Sequence, residues 1–162
     1  MNAFEKIIAR LPRLLLSSVA SVLTIAQIIL AFILKGQPVE GQQWAGLICI
    51  WVSALFALLP IIIFRRKGGV AKGESYMQTT TLVTSGLYAI VRHPQGGTAW
   101  LLMNLGILLI AWHWTSMVLG GLSMLLAYVD TYKADQILVD KFGDAYKAYS
   151  ARVPRVNFIA GI

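Results

Sequence analysis

The stretch LLLSSVASVLTIAQIILAFIL, residues 14–34, contains no charged side chain in its 21 positions. A helix needs about 20 apolar residues to cross the hydrocarbon core of a bilayer. A second uncharged stretch of the same length, WAGLICIWVSALFALLPIIIF, occupies residues 44–64. These two stretches predict two transmembrane helices joined by a short loop.

A third uncharged region, residues 96–129, is too long for one membrane helix. Its 34 residues carry no formal charge apart from a possible one on His113. A straight helix of that length would extend about 50 Å, whereas the hydrocarbon core measures about 30 Å. We therefore expect the chain to turn back near residues 113–116. The prediction is an all-α integral membrane protein with about four transmembrane helices, the last two forming a helical hairpin.

The composition and the distribution of charge agree with this class of protein. The chain is 57% hydrophobic and only 13% charged, whereas about a quarter of the residues in a soluble domain are charged. The net charge of +7 comes from basic residues before the first predicted span, after the second and after the third region. The positive-inside rule then places both termini in the cytoplasm. These positions favour contact with anionic lipids and argue against nucleic acid as a partner.

The ends of the chain carry further helical patterns. Residues 1–13 form a basic amphipathic lead, typical of a helix lying on a membrane surface. After the third region we predict a cytoplasmic helical extension that is interrupted at Gly143. One face of this extension is marked by residues three or four positions apart, namely Tyr128, Tyr132, Asp135, Val139, Phe142, Tyr146 and Tyr149.

Asp135 is a carboxylate within this largely aromatic face, whereas Asp130, Asp140 and Asp144 are expected to lie off it and face solvent. Asp135 either forms an ion pair with Lys133 or Arg152, or binds a ligand. The lone cysteine, Cys49, lies inside a predicted span, so the sequence predicts neither a disulfide framework nor a metal site.

A second polar cluster precedes the third apolar region. It contains Tyr88, Arg92 and His93, followed by Pro94, which favours an extended backbone at His93. The predicted topology puts this loop on the same side of the membrane as Asp135. A cation, an imidazole, a carboxylate and aromatic walls together suit a ligand that is zwitterionic and partly aromatic.

At these residues the chain resembles a family of integral-membrane methyltransferases. Gly86-Leu87-Tyr88 followed by Val91-Arg92-His93-Pro94 is similar to the G-x-Y-x-x-V-R-H-P signature of that family. The family includes isoprenylcysteine carboxyl methyltransferases and phospholipid N-methyltransferases. Its second motif is similar to Asp135 followed by FGDAYKAY at residues 142–149 and Arg-Val-Pro at 152–154. The chain then divides into residues 1–81, with the lead, two spans and a loop, and a methyltransferase-like region, 82–162.

The resemblance implies S-adenosylmethionine as cofactor and a lipid-like or prenylated acceptor at the cytoplasmic face of the membrane. It implies Arg92 and Asp135 as catalytic residues, with Asp135 holding the ammonium group of the cofactor. Substrate contacts would come from Tyr132 and Arg152, and no metal is implied. The cofactor site would be formed by Gly86, Tyr88, Arg92, His93, Pro94, Gly97 and Asp135.

Several positions depart from the family signature. Gly96 and Thr98 stand where the family has a tyrosine and a glycine. Ala134 replaces the first of two carboxylates, the second is the shorter Asp135, and Leu87 stands where the family often has a proline. An alternative therefore stays open, in which the chain is a catalytically inactive membrane scaffold or lipid-binding protein of the same fold. The chemical class of the acceptor, whether carboxylate, amine or thiol, is also open.

Overall fold

The computed structural model describes residues 12–34, 36–71, 73–75 and 78–162. This part of the chain is helical and contains no β-strand, which confirms the all-α prediction. A π-helical turn, Pro94–Ala99, leads into α3, and single 3₁₀ turns cover Gly86–Ala89 and Ile159–Gly161. The α-helices are α1 (Arg13–Leu34), α2 (Gln42–Lys67), α3 (Trp100–Ile110), α4 (Trp114–Phe142) and α5 (Asp144–Ser150).

Helices α1 and α2 match the first two predicted spans, and both are long and apolar enough to cross a membrane. Most of their side chains lie on the molecular surface; Phe32 is 79% exposed and Trp51 is 73% exposed. A continuous apolar surface of this kind is unfavourable in water and favourable against lipid. The two helices therefore favour association with a membrane.

The third apolar region is divided between two helices. Helix α3 ends at Ile110, and α4 begins at Trp114. The break at residues 111–113 lies just before the predicted turn at 113–116, because the His113 side chain accepts a hydrogen bond from the Thr115 backbone N–H and caps α4. Helix α3 has only 11 residues, but it continues directly from the six-residue π-helical turn before it.

Helices α1 to α4 pack in pairs, α1 against α4 and α2 against α3. Helices α2 and α3 touch through their backbones, because a Cβ atom added at Gly106 would lie 2.8 Å from the Gly46 carbonyl oxygen. A buried polar network joins α1, α3 and α4. In it, the Thr24 hydroxyl contacts Asn104 Oδ1 at 3.0 Å and Ser123 Oγ at 2.7 Å. Hydrogen bonds between helices of this kind are typical of membrane proteins.

The part of the chain after α4 lies next to the Arg92–Pro94 loop. Gly143 has a φ of +57° and separates α4 from α5, which confirms the predicted interruption. Residues 151–162 then return to the Arg92–Pro94 loop. The predicted amphipathic lead at residues 1–13 falls almost entirely outside the described residues.

Candidate functional site

The loop that carries the Arg-His-Pro sequence is held by its neighbours at several points. Gly86 has a φ of +66° and starts the 3₁₀ turn that brings Tyr88 against Phe64, with ring centroids 4.9 Å apart. The Tyr149 hydroxyl donates a hydrogen bond to the Tyr88 carbonyl oxygen at 2.6 Å. Val91 is fully buried against Phe56. The backbone before Arg92 is therefore anchored on α2 and α5.

The returning C-terminal segment fixes the next two residues. The backbone N–H groups of Arg92 and His93 donate to the carbonyl oxygens of Pro154 and Arg155, both at 3.0 Å. In the π-helical turn, the N–H groups of Gly97 and Thr98 both donate to the His93 carbonyl oxygen. These two donors are therefore satisfied within the chain.

Asp135 of α4 is the centre of the polar cluster, and its side chain is 13% exposed. Its Oδ1 atom lies 2.6 Å from His93 Nε2 and accepts a hydrogen bond from the Tyr146 hydroxyl at 2.5 Å. Its Oδ2 atom accepts from Arg92 Nη1 at 3.1 Å and from Arg155 Nε at 2.9 Å. Each carboxylate oxygen thus has two partners.

The electrostatics of the cluster favour an ionised Asp135. Burial acts to raise the pKa of this carboxyl, but the hydrogen bonds from His93 and Tyr146 and the charge of Arg92 outweigh burial and hold the pKa well below its usual range. Burial and the adjacent carboxylate raise the pKa of the Tyr146 hydroxyl. Tyr146 therefore keeps its proton and acts as a donor to Asp135.

A cavity of about 270 Å³ opens beside this cluster, between α4, the end of α2 and the Arg92–Pro94 loop. A smaller cavity of about 50 Å³ shares Phe64, Tyr88 and Arg92 with it. Ligand pockets for small molecules begin at about 300 Å³, slightly above the volume of the larger cavity. The predicted cofactor residues that line the larger cavity are Tyr88, Arg92, His93 and Pro94, and they are joined by Gly96 and Ala134.

The other predicted site residues lie around the cavity or away from it. Gly97 packs against the C-terminal segment, since a Cβ atom added there would lie 2.5 Å from Val156 Cγ1. Gly86 shapes the preceding turn. The ring of Tyr132 lies under the Arg155 guanidinium, 3.5 Å from its central carbon to the ring centroid. Arg152 is exposed, and its Nε donates a hydrogen bond to the carbonyl oxygen of Ala148 in α5.

The structure adds site residues that the sequence analysis missed. The expectation that Asp130 faces solvent is wrong: its side chain is 14% exposed, lines the cavity and pairs with Arg13 Nε at 3.1 Å. Asp130 and Ala134 are four positions apart on α4 and so share a face, a spacing that could have identified Asp130. The pairing of Asp135 with Arg155 was also missed: Arg155, which the sequence suggested only for a lipid headgroup or the membrane surface, occupies the place beside Asp135 that was considered for Lys133 or Arg152.

A larger apolar groove of about 440 Å³ lies at the opposite end of the helices. It is lined by residues of α1, α2 and α3, including Ile28, Ile50 and Ile107, and it contains no titratable side chain. The described residues also contain no cluster of three metal-ligating side chains. The charged cavity is therefore the candidate functional site.

Fold and site define the class: an all-helical chain with two helices able to cross a membrane and a charged cavity where α1 begins and α2 ends. Comparison with protein-family models, with curated proteins and with solved structures gives no match for this chain.

Proposed function

We propose that this chain is a membrane methyltransferase that moves a methyl group from S-adenosylmethionine to a lipid-like acceptor at the cytoplasmic face. The observation that carries the proposal is the single cavity shared by Tyr88, Arg92 and His93. These residues belong to the signature that resembles the membrane methyltransferases. Asp135, from the second motif, contacts two of them.

The proposed membrane arrangement has four spans, with α3 and α4 as the hairpin and both termini in the cytoplasm. Two features support it. Arg13 and the basic end of α2, Arg65 to Lys67, lie at the end of the molecule that holds the cavity. Three of the exposed tryptophans, Trp44, Trp112 and Trp114, lie at the opposite end, near the start of α2 and at the break between α3 and α4. Basic residues inside and aromatic residues at the interface are typical of membrane proteins.

The residues of the cavity suit the groups of the proposed cofactor. Arg92 lines the cavity and provides a positive charge that suits a carboxylate. Phe64 and Tyr88 are aromatic residues of the cavity lining, and aromatic rings suit contact with a sulfonium or an adenine. S-adenosylmethionine supplies an electrophilic methyl group when bound.

The ammonium group of the proposed cofactor requires an anionic partner. The resemblance assigns this role to Asp135, yet its two oxygens already have four partners within the protein. Asp130 is the carboxylate on the cavity wall, and Arg13 is its only charged partner among the described residues. We infer that Asp135 organises the cavity and that Asp130 contacts the ammonium.

The protein would contribute mainly position and desolvation. Transfer of a methyl group is an in-line displacement, so a water-poor cavity that holds the two reactants in line lowers the barrier without a metal. The rigid attachment of the Arg92–His93 backbone to residues 154 and 155 supports such positioning.

Titration calorimetry of the detergent-solubilised protein with S-adenosylmethionine and S-adenosylhomocysteine tests the proposal. We expect saturable binding that Arg92→Ala weakens by at least tenfold, because Arg92 lines the cavity and holds Asp135. Arg66→Ala, which removes an exposed cation outside the cavity, should leave the affinity unchanged. Absence of binding by the folded protein would overturn the proposal.

A catalytically inactive scaffold or lipid-binding protein is the second candidate. Gly96 and Ala134 favour it, because both line the cavity where the family signature has larger or charged side chains. A folded protein that binds lipid vesicles but neither cofactor form would support this alternative.

A further inference from the structure

The imidazole of His93 has one nitrogen engaged and one free. Its side chain is 9% exposed, and Nε2 lies 2.6 Å from Asp135 Oδ1. Nδ1 has no hydrogen-bond partner in the described ranges of the chain. His93 is also one of the residues that line the cavity. A buried histidine with one unpartnered nitrogen beside a cavity is a candidate for proton transfer.

The neighbours of His93 decide which nitrogen carries the proton. Asp135 Oδ1 already accepts a hydrogen bond from the Tyr146 hydroxyl, and an ionised carboxylate has no proton to donate. The contact with His93 therefore requires the proton on Nε2. Two guanidinium groups, of Arg92 and Arg155, already flank the same carboxylate, so a charged imidazole would add a third cation to one anion. In its neutral form the ring therefore carries its lone pair on Nδ1.

We propose that His93 Nδ1 accepts a proton from the methyl acceptor, and that the acceptor is a protic nucleophile, an amine or a thiol, rather than a carboxylate. This inference rests on the proposed methyl transfer. Asp135 acts as a positioning residue that fixes the tautomer and the orientation of the ring, as a carboxylate does in an Asp-His pair.

Methyl transfer forms one bond and breaks another. The nitrogen or sulfur of the acceptor forms a bond to the methyl carbon, and the bond from that carbon to the sulfonium sulfur breaks. The bonding pair stays on sulfur, which becomes a neutral thioether. The proton of the acceptor moves to His93 Nδ1 and then to water, so the histidine is restored. A carboxylate acceptor is already ionised at neutral pH and has no proton to give.

The tautomer is testable without any cofactor. The chain has only two histidines, His93 and His113, so nitrogen NMR of ¹⁵N-histidine-labelled protein in detergent is interpretable, with His113→Gln assigning the second ring. We expect His93 at neutral pH to carry its proton on Nε2 and none on Nδ1. In Asp135→Asn this preference should be lost. A doubly protonated His93, or one protonated on Nδ1, would overturn the proposal.

A second measurement addresses the acceptor. Three compounds with one lipid tail, ending in an amine, a thiol or a carboxylate, are offered with S-adenosylmethionine. We expect methylation of the amine or of the thiol, and comparison of these two compounds shows which one is the acceptor. In His93→Gln we expect turnover to fall by about 100-fold or more. Methylation of the carboxylate alone, transfer to none of the three by cofactor-bound protein, or unchanged turnover in His93→Gln would contradict the inference. Failure to bind cofactor would instead contradict the methyltransferase proposal, leaving the tautomer result intact.

Discussion

Arg155 holds Asp135 from the C-terminal segment, with Nε at 2.9 Å and Nη2 at 2.8 Å from the same carboxylate oxygen. The guanidinium also lies over the ring of Tyr132. This contact joins the returning segment to α4, while the backbone of the same segment pairs with Arg92 and His93. The end of the chain is thus part of the candidate site.

Replacement of Arg155 by alanine should therefore destabilise the protein. Hydrogen bonds to charged groups contribute about 1.5–3 kcal/mol each, and the variant leaves Asp135 partly buried with fewer partners, so we expect a loss of about 2 kcal/mol. Arg152→Ala removes the same charge from an exposed position and should have little effect. Thermal unfolding in detergent measures both, and equal midpoints for the two variants would contradict the role of Arg155.

Acidification should destabilise the protein through Asp135. Its pKa is lower in the folded state than the value of about 3.9 in an unfolded chain, because the donors around it outweigh burial. Its stabilisation is therefore complete above about pH 5 and is lost as the pH falls through the unfolded value and toward the folded one. The thermal midpoint should fall between about pH 6 and about pH 3.

The variant Asp135→Asn tests this assignment. It should be less stable than the natural chain near neutral pH, and its midpoint should depend less on acid. Asp140→Asn removes an exposed carboxylate from the same helix and should retain the natural acid dependence. An acid dependence in Asp135→Asn as steep as that of the natural chain would assign the effect to another group.

Gly96 and Gly97 are adjacent but should respond differently to a methyl group. A Cβ atom at Gly97 would lie 2.5 Å from Val156 Cγ1 and 3.2 Å from His93 Cβ, whereas one at Gly96 has no heavy atom within 4 Å. Overpacking costs about 1–3 kcal/mol, so Gly97→Ala should lower the unfolding midpoint and Gly96→Ala should leave it nearly unchanged. Similar midpoints would show that the C-terminal segment moves away without cost.

The sequence predicts α1 and α2 well because an uncharged run of that length has few alternatives to a long helix. The interruption at Gly143 was also predictable, since few residues other than glycine adopt a positive φ. The position of the break in the third apolar region was predicted less accurately. Its break lies at residues 111–113 because the His113 side chain caps the next helix, a local choice that hydropathy does not encode.

The candidate site was predictable only where sequence motifs carry it. The proximity of Arg92 and His93 to Asp135 follows from the two motifs of the resemblance. The contact of Asp135 with Arg155 depends on the path by which the chain end returns, and the pairing of Asp130 with Arg13 depends on how α1 packs against α4. Such contacts arise from tertiary packing between distant segments, so periodicity placed Asp130 in solvent.

Asp130 gives a further prediction if the cavity binds S-adenosylmethionine. Removing one charged partner of a bound ammonium costs about 1.5–3 kcal/mol, which corresponds to a loss of affinity of about 10-fold to 100-fold in Asp130→Asn. Asp144→Asn is a matched control, since Asp144 is exposed and pairs with Lys147. Calorimetric titration compares the two variants. Unchanged cofactor affinity in Asp130→Asn would indicate that Asp135, and not Asp130, contacts the ammonium.

The polar network between the helices should stabilise the fold independently of the site. Thr24→Val keeps the shape of the side chain but removes the hydroxyl that links α1 to Asn104 and Ser123. Hydrogen bonds between membrane helices contribute about 0.6–2 kcal/mol each, so we expect a loss of about 1 kcal/mol. Ser17→Ala, whose hydroxyl contacts only carbonyl groups of its own helix, is the control. Unfolding by SDS titration measures both, and a Thr24→Val protein as stable as Ser17→Ala would mean that apolar packing alone holds α1 against α3 and α4.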